Sequence, residues 1–297
     1  MKSLWQKGFI LLILCLIFLT GCSEKYPVLH PVGPVGEKER NLIILSAVLM
    51  AIVIIPVIAL LAFIVYRYRD KPNNRAPYKP NWDDSKILEF VWWGIPIIII
   101  AVLSIYTVRD TFALTKPPAN TGEPISIQVT SLDWKWVFFY PDEGVATVNY
   151  IDIPAGRPVQ FELTSDAPMN SFWIPALGGQ EYTMPGMAMR LWLQANKVGT
   201  YTGKGANFTG KEFSKMSFAV HVKKETDFDQ WVKALKNQSP QLTEAGYKQL
   251  KKPGVVGKKS FSSYPKDIFH DTVMKNGGKY MNNDWMMKDH SQEMKGK

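Results

Sequence analysis

Residues 42–66 read LIILSAVLMAIVIIPVIALLAFIVY, a run of 25 without a charge. A helix of that length crosses a hydrocarbon layer of about 30 Å with some tilt. Pro56 is the expected place for a kink. On its C-terminal side, residues 87–108 are apolar except for Glu89, with Trp92, Trp93 and Tyr106 near the ends, where amphipathic rings settle at a membrane interface. This predicts a second span. The connecting loop, 67–86, sets Arg67, Arg69, Lys71, Arg75, Lys79 and Lys86 against Asp70, Asp83 and Asp84. The positive-inside rule puts that loop in the cytoplasm and both outer ends outside.

Further toward the N-terminus, a basic start and a short apolar core end in Leu19-Thr20-Gly21-Cys22. The core is too short to span a membrane and reads as a secretory signal. Its close resembles that of a bacterial lipoprotein signal, which implies cleavage of residues 1–21, lipid attachment to Cys22 and an extracytoplasmic segment over 22–41. Cys15 would leave with the signal. These are the chain's two cysteines, so a disulfide scaffold and a CxxC centre are excluded. The net charge of +9 raises the question of an acidic partner. Much of the surplus lies beyond Lys223 in an exported segment, where nucleic acid is not an expected partner. Anionic lipid, an acidic protein surface or plain solvation remain open for it.

Over 120–224 the sequence changes to short β-branched and aromatic runs between Gly, Pro and Asn turns. Strands are predicted at 125–130, 134–140, 147–153, 158–165, 171–174, 189–194, 200–203 and 216–222. Such spacing points to an all-β sandwich or Greek-key barrel. The remainder, 225–297, is a helical and partly disordered extension. In it Phe228, Trp231, Val232 and Leu235 share one helical face behind a cap at Thr226 or Asp227. Phe261, Tyr264, Phe269, Tyr280 and Trp285 are scattered beyond, suited to packing on a partner.

Two spans followed by an exported β domain, with LEFVWWGIP in the second span and DWKWVFFYP at the start of the domain, resemble subunit II of the haem-copper respiratory oxidases. The stretch NSFWIPALGGQEYTMPGMAMRLWLQANKVGTYTGKGANFTGKEFSKMSFAVHV follows the family's signature almost without gaps. The resemblance covers residues 42–222 and implies a cupredoxin-like sandwich. The implied fold class is a membrane-anchored α+β chain: a two-helix transmembrane hairpin, an all-β cupredoxin-like Greek-key sandwich and a short helical, aromatic-containing C-terminal extension.

In the cytochrome c oxidases of that family, two cysteines, two histidines, a methionine and a glutamate carbonyl build a dinuclear copper centre. Here the first histidine position is Asn170, the cysteine positions are Gly205 and Thr209, and the glutamate between them is Asn207. The second histidine position is Phe213, and Met216 alone stands. A thioether by itself does not hold copper, which at such a site needs thiolate and imidazole donors. The missing set is that of the quinol oxidases, which take electrons from a membrane quinol. Phe213 is expected to fill core space. His221 at a strand end and His30, His270 and His290 in loops are not expected to form a metal site.

Glu89 lies in the first turn of the second span, and an ionisable group there is a functional candidate. The resemblance places it at the mouth of a proton-uptake channel. The bland alternative is a carboxylate held by the helix dipole and headgroup water. Trp134 and Trp136 match the aromatic pair through which cytochrome c electrons enter in copper-bearing relatives, and without copper behind them they are expected to be structural. Met184, Met187 and Met189, with no cysteine or histidine beside them, read as core or subunit contact.

The function implied is that of subunit II of a terminal quinol:oxygen oxidoreductase that reduces oxygen to water and pumps protons. The chain itself would carry no cofactor. Haems and copper are expected in subunit I, its partner together with small membrane subunits, membrane lipid and quinol. The short lipoprotein signal and lysine-rich tail fit the plasma membrane of a Gram-positive cell, where menaquinol is the common donor. The alternatives are a free-standing membrane-anchored lipoprotein that binds a ligand or protein, and a copper-bearing cytochrome c oxidase subunit II.

Overall fold

The computed structural model describes residues 26–72, 74–77, 80–118 and 122–278. Cys15, Cys22 and the last 19 residues, with His290, Tyr280 and Trp285, lie outside them. Two long helices come first. α1 (Pro34–Arg67) has Gly33 as its N-cap, Pro34 at its first position and Glu37 in its first turn, residues suited to a helix start. α2 (Lys86–Leu114) is capped by Ser85, whose hydroxyl accepts from the Leu88 amide at 3.5 Å. The apolar windows of both helices have no buried residue and are long enough to cross a membrane. Pro56 and Pro96 lie inside continuous helices.

Both helices extend beyond the predicted limits of 42–66 and 87–108, because an apolar run marks only the stretch suited to lipid. The polar first turns of α1 are held by the β domain instead. The Gly36 amide donates to the Leu177 carbonyl at 2.9 Å, and the Glu39 carboxylate accepts from the Gly179 amide at 2.8 Å. At the other seam, Asp110 of α2 is buried and Leu114 packs on the β-domain core.

The β domain runs β1 (Ile125–Leu132), β2 (Lys135–Tyr140), β3 (Val145–Val148), β4 (Tyr150–Pro154), β5 (Pro158–Ser165), β6 (Asn170–Ile174), β7 (Gly178–Thr183), β8 (Met189–Gln194), β9 (Gly199–Gly205) and β10 (Ser217–Lys223). A short β11 (Lys259–Phe261) joins from the extension. One sheet has the order β11-β3-β2-β1-β5-β8, the other β4-β10-β9-β6-β7. The β1–β5 and β4–β10 pairs are parallel and the other ladders antiparallel. The predicted single strand 147–153 is two strands in different sheets. Asn149 between them has φ +59°, a left-handed conformation that asparagine tolerates, and the chain changes sheet there.

All of β2 is buried, which explains why KWVFFY lacks polar alternation. Trp136, Phe138 and Tyr140 enter the core between the sheets with Phe161, Phe172 and Phe218. Val137 and Phe139 point the other way, onto Leu242, Tyr247, Leu250 and Ile268 of the extension. The extension is α3 (Glu225–Gln238), α4 (Glu244–Leu250), β11 and α5 (Ile268–Lys275). α3 buries Phe228, Val232 and Leu235 as its periodicity predicts. Its N-cap is Lys224, without a side-chain bond, so neither Thr226 nor Asp227 caps it.

The tail aromatics also depart from expectation. Phe261 and Tyr264 pack on the sandwich itself, Tyr264 with its ring 4.9 Å from that of Phe139, and Phe269 is buried with Ala188 and Val273. Polar bonds fix the same seam. Lys135 is 1% exposed, and its ammonium donates to the carbonyls of Asp133 at 3.0 Å and Lys252 at 2.8 Å. Burial lowers its pKa. The Asn149 side chain donates to the Val256 carbonyl at 2.7 Å.

Candidate functional site

At one end of the sandwich, the start of β6, the end of β9 and the loop before β10 bring three of the six copper-ligand positions together. Asn170 and Met216 are buried, and the Asn170 amide Nδ2 lies 2.9 Å from the Met216 sulfur. The Asn170 Oδ1 accepts from the Ser171 amide at 2.7 Å. Gly205 is tied to the Met216 carbonyl by its own amide at 3.0 Å. A side chain at Gly205 would begin 2.9 Å from Asn170 Oδ1, so the amide group occupies the space in front of this glycine. Asn170, Gly205 and Met216 therefore close on one another.

The other three positions lie in the loop. Asn207 donates to the Met169 carbonyl at 3.1 Å, and the Thr209 carbonyl accepts from the Trp134 indole at 3.1 Å. Phe213 does not fill the core. It is half-buried in a 3₁₀ turn, edge-on to the exposed Phe208 with ring centroids 5.6 Å apart. The loop leaves the sandwich at this point, so its side chains have no second sheet above them. Across the six positions the side-chain donors are one thioether, two amides and one hydroxyl, with neither thiolate nor imidazole.

The tryptophan pair divides. Trp136 is buried, edge-on to Phe172 at 5.5 Å and Phe218 at 5.7 Å. Trp134 has φ +60° in the β1–β2 turn, and its indole anchors the 205–213 loop. Met189 lies in β8, and Met184 and Met187 are in the turn before it. Glu89 is exposed in the first turn of α2, its amide bonded to the Ser85 carbonyl at 2.9 Å.

The histidines are dispersed, and among the described residues no three His, Cys, Asp or Glu side chains gather as a metal site. His270 is in α5 rather than a loop. His221 is within β10, with its Nδ1 3.2 Å from the Thr200 hydroxyl and its Nε2 3.5 Å from the Lys258 ammonium. Burial lowers its pKa, Asp152 opposes that, and Lys258 and Lys223 add to it.

A buried charge pair beside it escaped the sequence reading. Asp152 of β4 is 2% exposed and pairs with Lys223 of β10 at 2.6 Å. Its second oxygen, Oδ1, is buried without a hydrogen-bond partner, and burial raises its pKa despite Lys223. The signal available was an aspartate inside the apolar run YIDIP.

Comparison with known proteins agrees with this architecture. The family model for the periplasmic domain of cytochrome c oxidase subunit II matches residues 141–223. The chain is 46% identical over 265 residues to quinol oxidase subunit 2 of Bacillus cereus, covering 89% of this chain and 91% of that protein. It is 43% identical over 257 residues to quinol oxidase subunit 2 of Bacillus subtilis, covering 86% and 80%. Against cytochrome bo(3) ubiquinol oxidase subunit 2 of Pseudomonas putida it is 43% identical over 246 residues, covering 82% and 77%. With two apolar helices leading into a cupredoxin-like β domain, and this identity running through nearly the whole length, the chain belongs to the subunit II family of the haem-copper quinol oxidases.

Proposed function

We propose that this chain is the subunit II of a membrane quinol:oxygen oxidoreductase and that it works without a dinuclear copper centre. The observation that carries the second part is the donor set at the sandwich end. A soft copper site draws on thiolate and imidazole, and Asn170 instead engages the Met216 sulfur while Gly205 offers no side chain. With no electron port of its own, the β domain serves as a cap on the subunit that holds the haems and copper, where oxygen is reduced. Quinol is the donor. Copper analysis of the complex, chain by chain, tests this: none is expected in this subunit, and two coppers with a thiolate-copper absorption band would overturn it.

The two spans carry the domain on the outer face, with the loop 67–86 in the cytoplasm, as its basic excess favours. Lipid on Cys22 anchors the same face, so two independent features support one topology. Glu89, at the cytoplasmic start of α2, is read as a proton-entry carboxylate, supported by its being the one charged residue of the apolar run 87–108. Glu89→Ala in the assembled complex is expected to slow proton uptake during turnover. Unchanged uptake would reduce Glu89 to a helix-end carboxylate.

A further inference from the structure

His221 sits where β4, β10 and the segment leading into β11 meet. It is half-buried, and both ring nitrogens are engaged. Nε2 lies 3.5 Å from the Lys258 ammonium, and Nδ1 lies 3.2 Å from the Thr200 hydroxyl of β9. An ammonium only donates, so Nε2 has to be the accepting nitrogen. The contact therefore selects the neutral imidazole, with its hydrogen on Nδ1 and directed at Thr200 Oγ1.

Lys258 belongs to the seam that holds β11 on the sandwich. β11 pairs with β3 through three residues, Lys259–Phe261. Beside that short ladder, the Ser260 and Tyr150 hydroxyls share a hydrogen bond at 2.6 Å, and the Lys258 ammonium lies 5.9 Å from the centre of the Tyr150 ring. Tyr150 in turn stands 6.2 Å from the imidazole, ring to ring.

Protonation changes what His221 can bind. The imidazolium has two donors and no acceptor, so its charge opposes Lys258 at 3.5 Å and Lys223 on its own strand. One acceptor stands free beside it. Asp152 is opposite His221 in the parallel β4–β10 ladder, where paired side chains project to the same face. Its side chain is 2% exposed; one oxygen, Oδ2, holds Lys223 at 2.6 Å and the other, Oδ1, is buried without a hydrogen-bond partner. Asp152, Lys258 and Lys223 are the charges that act on His221, while Thr200 from β9 and Trp231 from α3 carry none. Burial, joined by the two lysines and opposed by Asp152, sets the His221 pKa below the ordinary 6.5. The neutral form thus prevails at pH 7, and the proton is taken up in mild acid.

We propose that His221 is an acid-operated switch on the seam between the C-terminal extension and the sandwich: neutral, it holds Lys258 and keeps β11 closed on β3; protonated, it turns to Asp152 Oδ1 and releases Lys258. The test is amide hydrogen exchange of the full chain in its purified complex, read by mass spectrometry and corrected for the intrinsic effect of pH on exchange. Between about pH 8 and about pH 5, the range in which histidine changes charge, protection of residues 257–262 is expected to fall about two- to fivefold, the size of an exposed charged contact. Protection of β2 should not change. His221→Gln keeps an acceptor at every pH and should hold the protection across the range. Lys258→Met should lower it at both ends and remove the step. A step that persists in either variant assigns the pH effect to another group, Asp152 included, and wild-type protection that ignores pH shows that the seam does not depend on His221. Either result defeats the proposal.

Discussion

Phe172→Ala is expected to destabilise the β domain by about 3–5 kcal/mol, the cost of deleting a buried aromatic ring and leaving a cavity. Phe172 is fully buried in β6 and stacks on Phe218 of β10, with centroids 5.2 Å apart and planes 12° from parallel. From the opposite sheet, Trp136 meets it edge-on at 5.5 Å, and Phe161 lies tilted at 45° with centroids 5.0 Å apart. One ring therefore joins both sheets. The Phe218 ring also lies against Gly203, where an added Cβ would overlap it. Thermal unfolding followed by tryptophan fluorescence checks this, and a fall in melting temperature of more than about 10 °C is expected. A shift within a few degrees would show that the sheets do not depend on this contact.

Lys223→Met is expected to cost about 2–3 kcal/mol near neutral pH, somewhat below the roughly 3–5 of a fully buried pair because water reaches Lys223. The substitution strands Asp152, whose other oxygen already has no partner. The cost should depend on pH. Burial raises the Asp152 pKa in the folded chain, so its proton binds more readily there than in the unfolded chain. The stability linked to the protonated form is present below the ordinary aspartate value of 3.8 and is lost as pH rises through the raised one. Removing Lys223 raises that pKa further and widens the window.

The penalty should accordingly be largest near pH 7 and shrink toward about pH 4, where an aspartate starts to protonate. His221 and Lys258 also act on Asp152, and both remain in the variant. Urea midpoints of wild type and variant at the two pH values measure the difference. An equal penalty at both would mean that Asp152 is not its source.

The parts of the fold legible in the sequence are those whose apolar residues leave a periodic or uniform mark. The two spans, β5 and β8 are of this kind, as is the Phe228 face of α3. β7 was hidden because GGQEYT, an edge strand, mixes glycine and polar residues and packs only part of its length. α4 and α5 are seven and eight residues long, too short for a period to stand out. The destination of the tail aromatics was hidden for another reason. That β2 buries both faces is visible in KWVFFY, but not that residues 242–268 supply the second cover.

At the candidate site, the identity of each ligand position came from the family resemblance. What the residues do with one another came from tertiary contact. Asn170 and Met216 are 46 positions apart, and no local rule joins an amide to that sulfur. The placement of Phe213 in a turn beside Phe208, rather than in the core, likewise depends on where the loop leaves the sandwich.

The central claim is that electrons reach the complex from quinol without passing a copper port in this chain. It is tested most directly by oxygen consumption of the purified complex, supplied in turn with reduced quinol and with reduced cytochrome c. The account predicts uptake with quinol and none above background with cytochrome c. Rapid oxidation of cytochrome c, with copper retained by this subunit, would contradict it.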